Sequence, residues 1–471
     1  MLKSSTAQSS TVQQTVTHLS PAALSVDHYW LRNAHVSASL LGTLTPDMLD
    51  DRTREDLCRI DVEICNGTIC TILPSGSGEH WAGDLGQETD EHRTPLNYDL
   101  RGGMVFPCFV DMHTHLDKGH IWNRAPNPDG TFASAMAMVR ADSTRHWDAN
   151  DLYRRMNFGL QCSYAHGTQA IRTHIDAWGE QANISFGVLE VLQREWSDRL
   201  LLQAVCLVPL DVFSTPEGEV LADRVATLPG GILGGLALVN PELDRHLDRV
   251  MQLAQERGLD LDFHADETLD PASDALRHIA EAALRNQFTG RITCGHCCSL
   301  STQPLELLDI TLTLLQRTTI GIVSLPMCNL YLQDRQMGRT PRYRGVTAIQ
   351  ELRCAGIPVA IASDNCRDPF YNYGDHDMLE VLMMGSRIAQ LDAPYGDLPR
   401  MVTATPALLM GLDLGLITVG MAADLVLFRG RSFSELLSRS QHDRTVLRRG
   451  KAIETTLPDY AVLDDLVRSE Q

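Results

Sequence analysis

His113-Thr114-His115, His264 with Glu267 three residues on, His296 and Asp364 together offer the donor atoms that one divalent metal ion needs. On a β-strand, residues i and i+2 project from the same face, so His113 and His115 can reach one ion from a strand end. A His-x-His taken alone is more often a packed pair than a ligand set. The recurrence of His264, His296 and Asp364 at later strand ends changes that reading. Three imidazole nitrogens, from His113, His115 and His264, with one oxygen from Asp364, suit Zn²⁺ or Fe²⁺ and leave a position for water. Glu267 is placed to carry a proton between that water and a leaving group, although a glutamate in a loop ordinarily just faces solvent. His296 is either a fifth ligand or a hydrogen-bonding group for the attacking oxygen, and the second role is favoured. The chemistry implied is hydrolysis by activated water.

Such donors converge only if the strands that end in them share one rim. Apolar strand-like runs recur at Val105–Met112, Thr168–Ile175, Leu201–Val208, Ile232–Val239, Leu259–His264, Arg291–His296, Thr319–Leu325 and Pro358–Ser363. Helical patterns such as Asp151–Ala165, Asp244–Glu256 and Ala272–Arg285 lie between them. Eight strands with helical crossovers predict an α/β fold, a parallel (β/α)₈ barrel, with an open doubly wound sheet as the alternative. In a barrel all the candidate ligands fall on the rim where active sites form. The flanks read as short strands and turns, with Asn66-Gly67 marking a hairpin. They predict a small composite β-sandwich domain built from the N- and C-terminal segments. The expected divisions are a disordered tail over 1–27, the composite domain over 28–108 plus 408–471, and the hydrolase barrel over 109–407.

The formal net charge of −20 disfavours nucleic acid and anionic membranes as partners. No apolar run approaches the roughly 18 residues of a membrane span. Met1–Thr17 is rich in Ser, Thr and Gln, unlike a secretory signal, and several of the 12 cysteines (Cys206, Cys294, Cys328) sit in apolar runs as buried thiols would. A reducing, cytoplasmic setting is expected. Cys294-Gly295-His296-Cys297 contains C-x-x-C but has no second pair, so packing is the expected role. Arg335, Arg339, Arg342 and Arg344 make a basic loop expected over the barrel mouth or in a subunit contact.

Val110-Asp111-Met112-His113-Thr114-His115 after Gly102-Gly103-Met104-Val105-Phe106-Pro107, with Ala422-Ala423-Asp424-Leu425-Val426-Leu427 near the end, resembles the amidohydrolase superfamily. Within it, His113-Thr114-His115-Leu116-Asp117, Arg172-Thr173-His174-Ile175-Asp176, His264-Ala265-Asp266-Glu267, Asn329-Leu330-Tyr331-Leu332-Gln333 and Arg367-Asp368-Pro369-Phe370-Tyr371 resemble the cytosine deaminase group. The resemblance covers about residues 28–455. It implies hydrolytic deamination of a cyclic amidine, with metal ligands His113, His115, His264 and Asp364, a proton shuttle at Glu267, His296 beside the attacked carbon, and Asp364 accepting the water's proton. Binuclear members need a lysine on the fourth strand; Gly230–Asn240 has none, so one ion per subunit is expected.

Two positions depart from the cytosine pattern. Leu210 follows Pro209 where those enzymes carry a glutamine, and Asn365 replaces a second aspartate. Ser363-Asp364-Asn365 and Lys118 are instead similar to the enzymes that remove isopropylamine from N-isopropylammelide. Alkylamine removal from a triazine-type ring is therefore the first alternative, and a catalytically silent scaffold protein the second. Substrate contacts are expected from Asn365, Lys118, Trp122 and Phe370, while His174 either supports the ligands or touches substrate. The partners expected are a small heterocycle, water and, from the same resemblance, further copies of the chain.

Overall fold

The computed structural model describes residues 26–76 and 96–467, so the tail expected over 1–27 lies almost wholly outside the described residues. Eight strands form one sheet: β1 (Phe109–Thr114), β2 (Thr168–Asp176), β3 (Leu201–Leu207), β4 (Gly231–Ala237), β5 (Leu261–Ala265), β6 (Ile292–His296), β7 (Gly321–Ser324) and β8 (Val359–Ile361). They pair in chain order, and every ladder is parallel. The ends of this sheet meet at a parallel bridge between Thr114 and Asp364, where Asp364 N–H donates to the His113 carbonyl at 2.8 Å. The fold is the expected (β/α)₈ barrel, and its seam runs between β8 and β1.

Helices cross between strands for recognisable reasons. Leu243–Arg257 buries Leu243, Leu247, Val250, Met251 and Ala254 on one face, and Gly258 at φ 65° ends it. Pro216–Ala226 starts with proline after a Thr215 side chain that accepts from the Gly218 N–H. Inside the barrel, Arg172 on β2 donates to Asp262 on β5 at 2.8 Å, to Thr293 on β6 at 3.1 Å, and to Gln203 on β3 at 3.0 and 3.1 Å. This buried ion pair spans the sheet and fixes four strands in register. Removing either partner would leave the other charge uncompensated.

The expected first strand, Val105–Met112, is two strands. Val105–Pro107 pairs antiparallel with Leu425–Leu427, and β1 begins only at Phe109. Pro107 lacks the N–H that a continuous ladder needs, so the chain changes sheets there.

Contacts divide the chain into two units, one running to Pro107 and including Ile417–Glu454, the other Cys108–Leu416 with the residues from Thr455 on. The first unit holds two four-stranded sheets. One orders Thr68–Pro74, Leu57–Cys65, His28–Ser37 and Leu96–Asp99; the other Lys451–Ala452, Thr445–Arg448, Leu425–Leu427 and Val105–Pro107. Asn66 (φ 51°) and Gly67 (φ 80°) make the tight turn read from the sequence. The barrel unit extends past residue 407. Ala407, Leu409 and Met410 pack with Val110, Met112, Val323 and Ala360, and Leu463 packs with Phe158 and Cys162. Among the described residues no helix is long and apolar enough to cross a membrane.

Candidate metal centre and active-site cavity

All the proposed ligands lie at the C-terminal rim of the barrel. His113 and the residue after β1, His115, project from the first strand end; His264 sits on β5, His296 ends β6, and Asp364 follows β8. His115 Nε2 stands 3.3 Å from His264 Nε2 and 3.3 Å from Asp364 Oδ1, and His113 Nε2 is 3.6 Å from the same oxygen. Two ligands about 2.0–2.1 Å from one tetrahedral ion stand roughly 3.4 Å apart, so these separations fit a shared cation. Both nitrogens of His113 and both carboxylate oxygens of Asp364 are buried without an N–H or O–H partner. Buried polar atoms rarely go unpaired, and here His113 Nε2 and Asp364 Oδ1 face one another. The residues present fit a metal ion.

Local backbone strain aims them. Asp266, His296 and Asp364 adopt left-handed φ values of 52°, 70° and 64°. That conformation is costly for residues with a Cβ, and it turns the chain sharply at each strand end. Asp266 offsets its cost by accepting from the N–H groups of Ala275 and Leu276, at 2.8 and 2.9 Å, and from the Ser273 hydroxyl. This clamps the loop that carries Glu267 to the start of the Ala275–Arg285 helix.

Burial dominates the electrostatics. It holds His113, His115, His174 and His264 well below the ordinary imidazole range and His296 down at about 3, so all five rings are neutral. Burial, with Asp368 and Asp111 adding, pushes Asp364 up to about 7. Burial and then the Asp364 charge raise Glu267 well above the usual carboxylate range, against the pull of Lys118. Glu267 Oε1 lies 3.4 Å from His296 Nδ1, which the Asn329 amide also meets at 3.0 Å. With Asn329 donating to Nδ1, the ring proton sits on Nε2, an atom with no protein partner.

These groups open into a cavity lined by His115, Lys118, Asp176, His264, Glu267, His296, Asp364 and Asn365 among polar residues, and by Phe132, Met136, Trp178, Leu207, Leu236 and Phe370. Lys118 donates to Asp176 at 2.7 Å. Asn365 lines the cavity, but its amide is committed to Asp368 at 2.7 Å, and Asp368 also accepts from the Phe370 N–H at 2.8 Å, which fixes that ring.

Two expected substrate contacts are placed elsewhere. His174 is fully buried beneath the ligands, its ring 3.9 Å from that of His113, so of its two readings the supporting one fits. Trp122 does not line the cavity, and its N–H donates to Arg367 across the seam; Trp178 and Phe132 supply the aromatic walls instead. They come from the loop after β2 and the start of the helix Phe132–His146, segments whose only sequence signal is an apolar residue near a rim. Leu210 is also absent from the lining, where Leu207 and Leu236 stand. The basic loop does not line the cavity either: Asp334 binds Arg339, Arg335 lies over the Tyr331 ring at 4.1 Å, and Arg344 reaches the Ile388 carbonyl. The twelve cysteines are free thiols, and Cys294 and Cys297 are buried.

A (β/α)₈ barrel whose strand ends present histidines and an aspartate to one point defines a class, and comparison with known proteins agrees. The chain belongs to the amidohydrolase family, whose model matches residues 97–180 and 209–455. It is 48% identical to a pterin deaminase of Rhizobium rhizogenes, over 88% of this chain and 92% of that one. It is 25% identical to N-isopropylammelide isopropyl amidohydrolase of Pseudomonas sp. strain ADP, over 71% and 82%. The structure of 5-methylcytosine deaminase from Klebsiella pneumoniae with 5-fluorocytosine superposes with a TM-score of 0.74 at 24% identity, covering 92% of this chain and 98% of that one.

Proposed function

We propose that this amidohydrolase is a hydrolytic deaminase of a heterocycle, that its substrate is a fused amino-heterocycle of the pterin kind rather than cytosine, and that one divalent cation serves it. The observation that carries this reading is the 48% identity to a pterin deaminase across nearly both whole chains. The cavity agrees with it. Phe132, Trp178 and Phe370 give the cavity aromatic walls, and a second cavity lined by Val139, Arg140, Ser143, Thr144 and Gln181 shares Met136, Asp176 and Trp178 with the first. A single pyrimidine ring leaves that extension unused.

His113, His115, His264 and Asp364 would hold the ion, Zn²⁺ or Fe²⁺. Bound there, it supplies Lewis acidity that brings the pKa of water toward about 7. The side chains do the rest. Asp364 accepts the proton of the attacking water. Glu267, kept protonated by burial and by the charge of Asp364, donates to the ring nitrogen as the amidine carbon becomes tetrahedral. His296 Nε2–H, with its tautomer set by Asn329, stabilises the oxygen added to that carbon. Asp364 then passes the proton it took to the exocyclic amine, Glu267 recovers one from the added hydroxyl, and the carbon–nitrogen bond breaks to release ammonia and leave a carbonyl. Lys118, held by Asp176, keeps a positive charge at the mouth.

The test is ammonia release from pterin, cytosine, 5-methylcytosine and N-isopropylammelide by protein of known metal content. Pterin should exceed cytosine by at least ~10² in kcat/KM. Turnover of cytosine alone would overturn the substrate assignment, and isopropylamine release would favour the alkylamine reading.

A further inference from the structure

A second cluster with metal-ligand chemistry lies on the same barrel, outside the catalytic cavity. His120, Cys366 and His376 each offer a ligand atom within 4.8 Å of the other two, and all three are buried. None lines the catalytic cavity. His120 Nε2 faces His376 Nε2 at 3.3 Å, the same separation as between the catalytic His115 and His264, and in both pairs the Nδ1 atoms find no protein partner. A hydrogen bond between two neutral imidazoles at that distance is weak. Two lone pairs directed at one cation account for the approach equally well here and at the catalytic pair.

Space is kept clear at this point. Gly159 lies in the middle of the helix Ala149–Ala165, where glycine weakens a helix, and a Cβ there would stand 3.0 Å from His376 Nε2. The surroundings are closed by Phe158, whose ring is 4.8 Å from that of His120, and by Tyr460. His120 and His376 both hold left-handed backbone, at φ 63° and 55°.

We propose that His120, Cys366 and His376 bind a second ion, a thiophilic transition metal such as Zn²⁺, whose role is structural. The three residues come from the loop after β1 and the loop after β8, which meet across the barrel seam. There, among the described residues, the backbone ladder is reduced to the Thr114–Asp364 bridge; Ser363 donates to the Asp111 carboxylate on β1, and the loops add His120 N–H to the Cys366 carbonyl at 3.0 Å and Trp122 N–H to the Arg367 carbonyl at 2.8 Å. An ion at this point ties the seam beside Lys118 and Asp364. Binding deprotonates the Cys366 thiol, and one proton passes to solvent per ion.

The test uses the full chain, stripped with a chelator and reloaded. With Zn²⁺, elemental analysis should find two equivalents per chain, and Cys366→Ser should keep one. With Co²⁺, the wild type should show near-ultraviolet thiolate-to-metal absorption that disappears in Cys366→Ser and persists in His264→Ala. Should the serine variant not fold, zinc-edge X-ray absorption of the wild type decides, because a sulfur at about 2.3 Å must appear in the averaged shell. A single equivalent in the wild type, no sulfur around zinc, or absorption that vanishes with His264→Ala overturns the proposal.

Discussion

The two histidine clusters at the barrel seam share ligand chemistry and differ in what surrounds them. Around His113, the imidazoles meet a carboxylate, a second carboxyl at Glu267 and an open cavity. Around His120, they meet a thiol and are walled by Phe158 and Tyr460. A site with an open position and a proton carrier can turn over substrate, whereas a closed site of similar donors can only hold the fold together. The difference therefore lies in access and in proton-carrying groups, not in the count of histidines. Backbone strain does not separate them, since left-handed turns stand at His296 and Asp364 in one cluster and at His120 and His376 in the other.

The largest effect expected is at the ligands themselves. His264→Ala should remove one metal equivalent and bring turnover to background, measured by elemental analysis alongside ammonia release. Retention of full metal and activity would sink the ligand assignment. Next comes Glu267→Gln, which should keep the ion yet lower kcat by ~10²–10⁴. The sign of its pH effect follows from the raised carboxyl. Glu267 acts protonated, so turnover should fall as pH rises through its elevated pKa, and that alkaline limb should be missing from the residual activity of the glutamine variant. An unchanged limb would mean that another group titrates. A smaller effect is expected at the aromatic wall. Trp178→Ala should raise KM for a bicyclic substrate by roughly 10-fold and for a monocyclic one by less, as loss of apolar contact does. Equal changes for both would place the ring elsewhere.

How much of this was legible in the sequence depends on the kind of signal. The ligands were readable because His, Asp and Glu at strand ends are chemically distinctive, and the strands because parallel barrel strands are short apolar runs. The break at Pro107 was missed because the apolar run continues past it; only the missing N–H divides the sheets. Trp122 looked like a cavity wall because it follows β1 closely, but which loop aromatic faces the mouth depends on a backbone path that spacing does not encode. His174 had two readings that only depth could separate: it lies one layer below the ligands, toward Asp262. The His120 cluster is invisible in sequence, since 246 residues separate His120 from Cys366 and nothing local marks them as neighbours.

The smallest and sharpest test of the comparison is Gly159→Ala. In an ordinary helix interior this change stabilises by about 0.5–1 kcal/mol, because alanine restricts the unfolded chain and favours the helix. Here the added Cβ would stand 2.9 Å from Leu116 Cδ2 and 3.0 Å from His376 Nε2. Overpacking of a filled interior costs about 1–3 kcal/mol, so the crowding should outweigh the helical gain. Denaturant unfolding should therefore show a net loss of stability, while the cavity around Glu267, which Gly159 does not line, keeps its turnover. A gain in stability instead would mean that the space beside His376 is slack and that the glycine has no part in shaping the second cluster. A loss of turnover as large as that of Glu267→Gln would mean that the two clusters are one mechanical unit, joined through Leu116 and the His115 beside it.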